Sequence, residues 1–463
     1  MNTSNLWSYD LVSLSDALST GRITSRHLTE ALLNRIAQDE PRLHAFATRP
    51  SDAVLEQAEI ADAERRAGRI KGPLHGIPIA VKDAIDDSAL PAAFGNPDLH
   101  RNRKGAPSTV MTRLREAGAI AFGKLTLTEG VWVEHHRSVA PPINPYGKDH
   151  WTGTSSSGSG VALAAGFVPG SFGTDTGGSI RLPSGCCGVT GLKPTWGRIG
   201  VSGVHPLAPS FDTVGPMART ARDVAILMDA VAGPDPSDPT CLSDPLLSHR
   251  VGPDADIRGL RLGVSRREIV AADTAVQTAL NAAIETFLAL GVEVVDLDLP
   301  DPEPVISAWS ILISAEAARV HHESFAQHPE AYGTAMTQLI TRGRSRSNPE
   351  IIDAMAMRRR HRGTLSATFS TVDAVLLPAL PIGGPSNAKM NSFADDDEAT
   401  QVIGRYTVPF NMSGFPTLTL PCGRTDLGIP IGLQLCGLPL TEPRLCRMGA
   451  AFQDVTTWHG VAP

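Results

Sequence analysis

Residues 153–160 read GTSSSGSG, and residues 173–181 read GTDTGGSIR. Small residues of this kind let the backbone turn tightly or approach a ligand closely. The segment 161–168 that follows the first stretch is apolar, which disfavours a solvated flexible linker. Together the two stretches indicate a folded centre in which backbone amide groups converge on one point.

Nucleotide-binding loops fit these stretches poorly. Gly153 and Gly158 have the spacing of a Walker A loop, but Ser159 stands where that loop needs its lysine. Residues 158–160 also lack the third glycine of a dinucleotide-binding loop, because position 163 is Leu163. Phosphate binding is therefore disfavoured.

A serine nucleophile without a histidine fits better. An α/β-hydrolase elbow needs a glycine two residues after the serine, and Arg181 stands there after Ser179. A serine hydroxyl needs a base, and a neutral lysine serves in some enzymes. Lys82 ends the β-prone run 79–81, where burial would favour the neutral amine; a lysine that extends into solvent from the sheet edge is the alternative. The amide groups of residues 176–179 could then form an oxyanion hole.

Composition and net charge narrow the classes of protein to which the chain could belong. The chain has 463 residues, of which 42% are hydrophobic and 19% charged, and its net charge is −7. This acidity argues against a nucleic-acid groove, and no apolar run reaches the ~18 residues of a membrane span. The first ten residues lack a secretory pattern, and six scattered cysteines suggest neither disulfides nor a metal site. A cytoplasmic protein without metal or cofactor is expected.

The whole chain is predicted to form one α/β domain. Strand, helix and strand signals alternate from residue 260 onward, and no linker separates independent units. The predicted parts are a helical region at 1–70, a core at 71–235, a helical insertion at 300–372, strands at 79–81, 260–264 and 374–378, and a helix at 274–290.

Taken together, these motifs resemble the amidase signature family over residues 8–453. Residues 175–181 match the core of the family's signature, with the serine-rich stretch 153–160 upstream, and residues 76–83 match its lysine block. Further matching motifs are Gly123-Lys124 with Glu129, Asn144-Pro145, and residues 187–194, 215–217 and 430–434.

The resemblance implies a triad of serine, cis-serine and lysine. Carried over by motif, Ser179 is the nucleophile, Ser155 the cis-serine and Lys82 the final proton acceptor. It also implies a large mixed β-sheet covered by helices on both faces. The chain departs from the family's paired glycines at Thr154 and Ser157, which puts a side chain next to the cis-serine. We expect this departure to change substrate preference more than activity.

The activity implied by the resemblance is cleavage of a carbon–nitrogen acyl bond in a small molecule. The local pattern, including Glu129-Gly130 and His135-His136, looks most like stand-alone bacterial amidases, some of which cleave aryl amides and carbamates (urethanes). Thr176, Gly177 and Gly178 are expected at the oxyanion. Val131, with its neighbours, is expected either to line the acyl side of the pocket or to belong to the ordinary core.

Other functions stay open at this point. One is the glutaminase subunit of glutamyl-tRNA amidotransferase, and another is a carboxybiuret- or allophanate-type urea hydrolase. A non-catalytic binding protein is disfavoured, because Lys82, Ser155 and Ser179 are all present. The expected partner is a small amide or carbamate, with no nucleic acid and no membrane, and a homodimer is among the expected states.

Overall fold

A mixed β-sheet of eleven strands forms the centre of the protein in a computed structural model, which describes residues 3–101, 103–245, 247–392 and 397–460. The strands are β1 (Phe46–Thr48), β2 (Pro78–Lys82), β3 (Ile120–Leu125), β4 (Gly170–Asp175), β5 (Thr190–Lys193), β6 (Thr213–Ala218), β7 (Arg261–Val264), β8 (Glu293–Asp296), β9 (Ala374–Pro378), β10 (Thr417–Arg424) and β11 (Pro430–Cys436). Their order across the sheet is β1-β3-β2-β4-β6-β5-β10-β11-β9-β7-β8.

Helices cover both faces of this sheet, which confirms the predicted fold class. In the described part of the chain, none of them has the length and apolar character that crossing a lipid bilayer requires. The helices are α1 (Leu11–Ser19), α2 (Ser25–Leu43), α3 (Ala53–Arg66), α4 (Pro97–His100), α5 (Thr109–Glu116), α6 (Ser157–Ala164), α7 (Arg181–Cys187), α8 (Ala221–Val231), α9 (Arg266–Val270), α10 (Thr274–Ala289), α11 (Glu303–Val320), α12 (His322–Gln327), α13 (Thr334–Ser345), α14 (Asn348–Phe369), α15 (Asn387–Asn391), α16 (Asp397–Gly404), α17 (Val408–Ser413) and α18 (Glu442–Asp454).

Strand direction brings two of the sequence motifs to the same edge of the sheet. β2 runs parallel to both of its neighbours, β3 and β4, and Val81 is paired with Phe172. The carboxyl ends of parallel strands meet at one edge, where α/β proteins usually bind ligands. Lys82 at the end of β2 and Asp175 at the end of β4 therefore lie close together.

Most predicted elements agree with the observed ones. The strand predicted at 374–378 is β9, and the helix predicted at 274–290 is α10, while α11 to α14 lie within residues 300–372. The sequence predicts a helical region at 1–70, but this region also contributes β1, which pairs antiparallel with β3. β4, β5 and β6 lie in the predicted core, and the sequence patterns do not indicate them as strands.

An apolar cluster separate from the main core lies beside the sheet edge that carries Lys82 and Asp175. It joins α11, α13 and α14 to α17, with Trp309, Met336 and Val408 among its buried side chains. Burial of large apolar side chains is the main source of stability for such a cluster. The cluster also contains Leu127, Leu207 and Phe211, so these helices pack against the loops that follow β3 and precede β6.

Candidate active site

Lys82 meets one of the two motif serines at the sheet edge. Its Nζ lies 2.6 Å from Ser155 Oγ and 2.7 Å from Thr174 Oγ1, and the side chain is completely buried. Burial lowers the pKa of Lys82 to about 7, against the opposing charges of Asp175 and Asp212. A large share of the amine is therefore uncharged near neutral pH and able to accept a proton.

Ser155 is held in a tightly packed turn that leads into α6. The Thr154–Ser155 peptide bond is cis, and Ser155 itself is completely buried. The Thr128 amide donates a hydrogen bond of 3.3 Å to the Ser155 carbonyl. Gly158 is needed one turn later, because a Cβ there would lie 2.4 Å from the Ala45 carbonyl oxygen.

Ser179 lies on the loop between β4 and α7, and the Asp175 carboxylate organises this loop. Asp175 accepts hydrogen bonds from the amides of Gly178 (2.9 Å) and Ile180 (3.0 Å) and from two guanidinium nitrogens of Arg181 (2.8 and 3.0 Å). Burial would raise the pKa of Asp175, but the charge and hydrogen bonds of Arg181 outweigh it and lower that pKa. The loop thus keeps a buried, ionised carboxylate directly behind Ser179.

Breaking this ion pair is expected to destabilise the protein strongly. Arg181→Met leaves the Asp175 carboxylate buried without its cation, which costs about 3–5 kcal/mol of unfolding free energy. Urea unfolding followed by tryptophan fluorescence measures the change.

Arg258→Met is the matched control, because it removes an arginine from an exposed pair with Asp256. Exposed pairs contribute little, so its unfolding midpoint should match that of the parent. Equal shifts in the two variants would contradict a structural role for the Asp175–Arg181 pair.

The amides expected at the oxyanion fall into two groups. The Gly178 amide is engaged with Asp175, whereas those of Thr176, Gly177 and Ser179 find no acceptor among the described residues. The Gly177 carbonyl accepts a hydrogen bond of 2.7 Å from the Thr407 hydroxyl. This hydrogen bond holds the peptide unit between Gly177 and Gly178 in place. The N–H groups of Gly177 and Ser179, on either side of that unit, stay available.

Ser179 opens onto a cavity of about 210 Å³ with a largely apolar wall. Val131 lines it and also belongs to a buried apolar cluster, and Thr176 and Gly177 line it too. Trp132 and Trp309 line it as well, and their rings are tilted against each other with centroids 6.1 Å apart. The other lining residues are Val133, Glu134, Trp151, Thr154, Leu182, Leu207, Ile313, Ala335, Gln338, Arg342, Met390, Asn391, Ala399, Thr400, Ile403, Gly404 and Val408.

Two contributors to the site had no usable sequence signal. Trp309 on α11 donates a hydrogen bond of 3.1 Å from Nε1 to the Thr176 carbonyl, and a Cβ on Gly177 would lie 2.4 Å from its ring. Asp212 accepts a hydrogen bond of 2.6 Å from the Thr176 hydroxyl, and burial raises the pKa of Asp212 to about 6. Only the three-dimensional packing brings these residues to the loop that carries Ser179.

Neither the site nor the rest of the described chain offers a metal-binding group. No cluster of three or more histidine, cysteine, aspartate or glutamate side chains suited to a metal ion occurs in the described ranges. The site's ionisable groups are instead paired with one another or with hydroxyl and amide groups.

Comparison with solved structures first identifies the class. The protein in the solved structure "Crystal structure of amidase" superposes on this one with a TM-score of 0.85 and 30% sequence identity. The match covers 97% of this chain and 100% of that chain. The amidase family model then matches residues 27–446, and the chain belongs to the amidase signature family.

Two relatives by sequence show that proteins with different activities belong to this family. "Putative amidase AmiD" of Mycobacterium tuberculosis (strain ATCC 25618 / H37Rv) is 37% identical over 457 residues, covering 98% of this chain and 95% of that protein. A glutamyl-tRNA(Gln) amidotransferase subunit of Roseiflexus sp. (strain RS-1) is also 37% identical, over 486 residues and 98% of each chain. Similarity at this level therefore supports amide chemistry in general and leaves the substrate open.

Proposed function

We propose that this protein hydrolyses the carbon–nitrogen acyl bond of small aromatic or bulky apolar amides and carbamates through an acyl-enzyme on Ser179. The observation that carries the proposal is the 2.6 Å contact between Lys82 Nζ and Ser155 Oγ in a completely buried environment. A buried lysine with a pKa near 7 is suited to act as a base at neutral pH.

In the first half-reaction, Ser179 Oγ attacks the substrate carbonyl carbon. Its proton passes to Ser155 Oγ as the Ser155 proton passes to the neutral amine of Lys82. The carbonyl oxygen becomes an oxyanion, which the free amides near Gly177 stabilise. The carbon–nitrogen bond then breaks, and the leaving nitrogen takes a proton from Ser155, which regains one from Lys82.

In the second half-reaction, a water molecule takes the place of the leaving amine. It attacks the acyl carbon and loses its proton along the same path to Lys82. The bond to Ser179 Oγ breaks, Oγ is reprotonated through Ser155, and the carboxylic acid leaves. The relay is thereby restored to its starting protonation state.

The cavity wall favours an aromatic or bulky substrate. Trp132, Trp151 and Trp309 line it together with aliphatic side chains such as Leu207 and Ile313. Tryptophan rings bind aromatic groups by stacking and by removing apolar surface from water. An aryl amide would bury its ring there while its amide carbon lies at Ser179.

A second candidate, the glutaminase subunit of a glutamyl-tRNA amidotransferase, is favoured by one observation. The cavity also carries Glu134 and Arg342, a carboxylate and a guanidinium that could bind the charged ends of a free amino acid. Glutamine turnover that appears only after copurification with a second protein chain would support this candidate.

A substrate panel tests the proposal. Benzamide, acetanilide and phenyl carbamate are expected to give kcat/KM values at least about tenfold above that of acetamide, because their rings bury apolar surface in the pocket. Initial rates of ammonia or aniline release measure this, with glutamine as the comparison substrate. Turnover of glutamine alone, without any aromatic amide, would favour the second candidate instead.

A further inference from the structure

One wall of the cavity is a short loop with an unusual backbone. This wall loop, residues 129–135, carries Val131, Trp132 and Val133 into the pocket lining. Gly130 has a φ of +54° and Val131 a φ of +67°. A β-branched residue rarely adopts a positive φ, so surrounding contacts must hold the loop in this shape.

The first set of contacts comes from the residue before the cis-serine. Thr154 Oγ1 lies 3.0 Å from the Trp132 carbonyl oxygen and 3.3 Å from that of Val133. The Thr128 hydroxyl donates a second hydrogen bond to the Trp132 carbonyl. The contacts are partly buried, where a carbonyl group needs a hydrogen-bond partner, so these hydroxyls fix the direction of the loop beside the pocket.

The second contact lies on the other side of the cis-serine. Ser157 Oγ lies 3.0 Å from Nε2 of His135, at the far end of the wall loop. Thr154 and Ser157 therefore flank Ser155 in the chain, and both bind the same loop. Glycine at these two positions would make neither contact.

We infer that Thr154 is a specificity-determining positioning residue, whose hydroxyl holds the wall loop so that the pocket fits a bulky or aromatic substrate. The inference rests on the proposed function, because it concerns the substrate pocket of that site. Thr154 adjoins Ser155 in the chain, so the substrate wall and the proton relay are joined through a single residue. Loosening the wall loop should weaken the binding of large substrates more than that of small ones.

Thr154→Val tests this, because it keeps the branched shape of the side chain and replaces the hydroxyl by a methyl group that cannot form the hydrogen bonds. The KM for benzamide is expected to rise about tenfold, and the ratio of benzamide to acetamide kcat/KM to fall by a similar factor. Thr154→Ser keeps the hydroxyl and should restore the parent KM.

Thr152→Val is the matched control. It removes another buried threonine hydroxyl, whose hydrogen bond goes to the Gly153 carbonyl and not to the wall loop. It should leave the ratio of benzamide to acetamide kcat/KM unchanged. If Thr154→Val lowers kcat/KM for both substrates equally, or leaves both unchanged, the inference is wrong.

A binding measurement separates this inference from the proposed function. Quenching of tryptophan fluorescence by benzamide reports occupancy of the pocket without any turnover, since three tryptophans line it. If the parent binds benzamide but hydrolyses no amide, the proposed function fails, and an about tenfold higher Kd in Thr154→Val still supports the inference. An unchanged Kd in that variant overturns it.

Discussion

Replacing Ser179 by alanine is expected to lower kcat/KM by about 10⁵–10⁶ for every amide that the parent hydrolyses. The variant keeps the pocket and the oxyanion amides but has no oxygen to form the acyl-enzyme. Rapid acid quenching followed by mass spectrometry should detect an acyl adduct on the peptide containing Ser179 in the parent and none in the variant.

Ser159→Ala makes the same chemical change nearby and serves as the control. Ser159 is buried in α6, and its hydroxyl has no hydrogen-bond partner within the described residues. Its loss should leave kcat/KM near the parent value. A Ser179→Ala enzyme as active as Ser159→Ala would remove the basis for an acyl-enzyme at position 179.

Sequence motifs suggested candidate residues for the site but did not indicate how they are arranged. Lys82, Ser155 and Ser179 are far apart in the chain, and at the level of sequence only the family resemblance groups them. The parallel pairing of β2 with β4 brings Lys82 beside Thr174, and the turn before α6 brings the Ser155 hydroxyl to the same amine. No local pattern could have specified that pairing, because it depends on contacts between distant strands.

The strands that were not predicted have a common physical cause. β4, β5 and β6 contain glycines where strands usually carry β-branched or aromatic residues. A Cβ on Gly191 would lie 2.1 Å from Ser184 Oγ, and one on Gly215 2.0 Å from the Leu192 carbonyl oxygen. These glycines permit close packing around the site, and this requirement overrides strand propensity.

The cavity wall was predictable only in its local part. Val131, Trp132 and Val133 follow a recognisable motif, and the sequence suggested them as lining residues. Trp309 and the α13 residues reach the cavity from the helical insertion, and no spacing in the sequence links them to Ser179. Substrate preference is therefore the property least accessible to sequence reasoning.

The last prediction concerns Lys82 and the pH dependence of the reaction. Lys82→Met keeps most of the unbranched side chain and removes the base, so kcat/KM is expected to fall by about a thousandfold. In the parent, burial lowers the pKa of Lys82 to about 7, and only the neutral amine accepts a proton. The parent's kcat/KM should therefore be level above pH 7 and fall about tenfold for each unit below it. The residual activity of the variant should lack this dependence.

Lys193→Met distinguishes the relay from a general effect of losing a buried lysine. Lys193 is also completely buried, and burial likewise lowers its pKa to about 7, but its Nζ donates to the Pro194 carbonyl at 2.8 Å. This variant should lose stability and keep the decline in activity below pH 7, because the Lys82–Ser155 contact is untouched. Full parent activity at pH 5, or a decline that disappears in Lys193→Met and persists in Lys82→Met, would show that Lys82 is not the base. The comparison is decisive because two buried lysines with the same pKa differ in whether their amine reaches a serine hydroxyl.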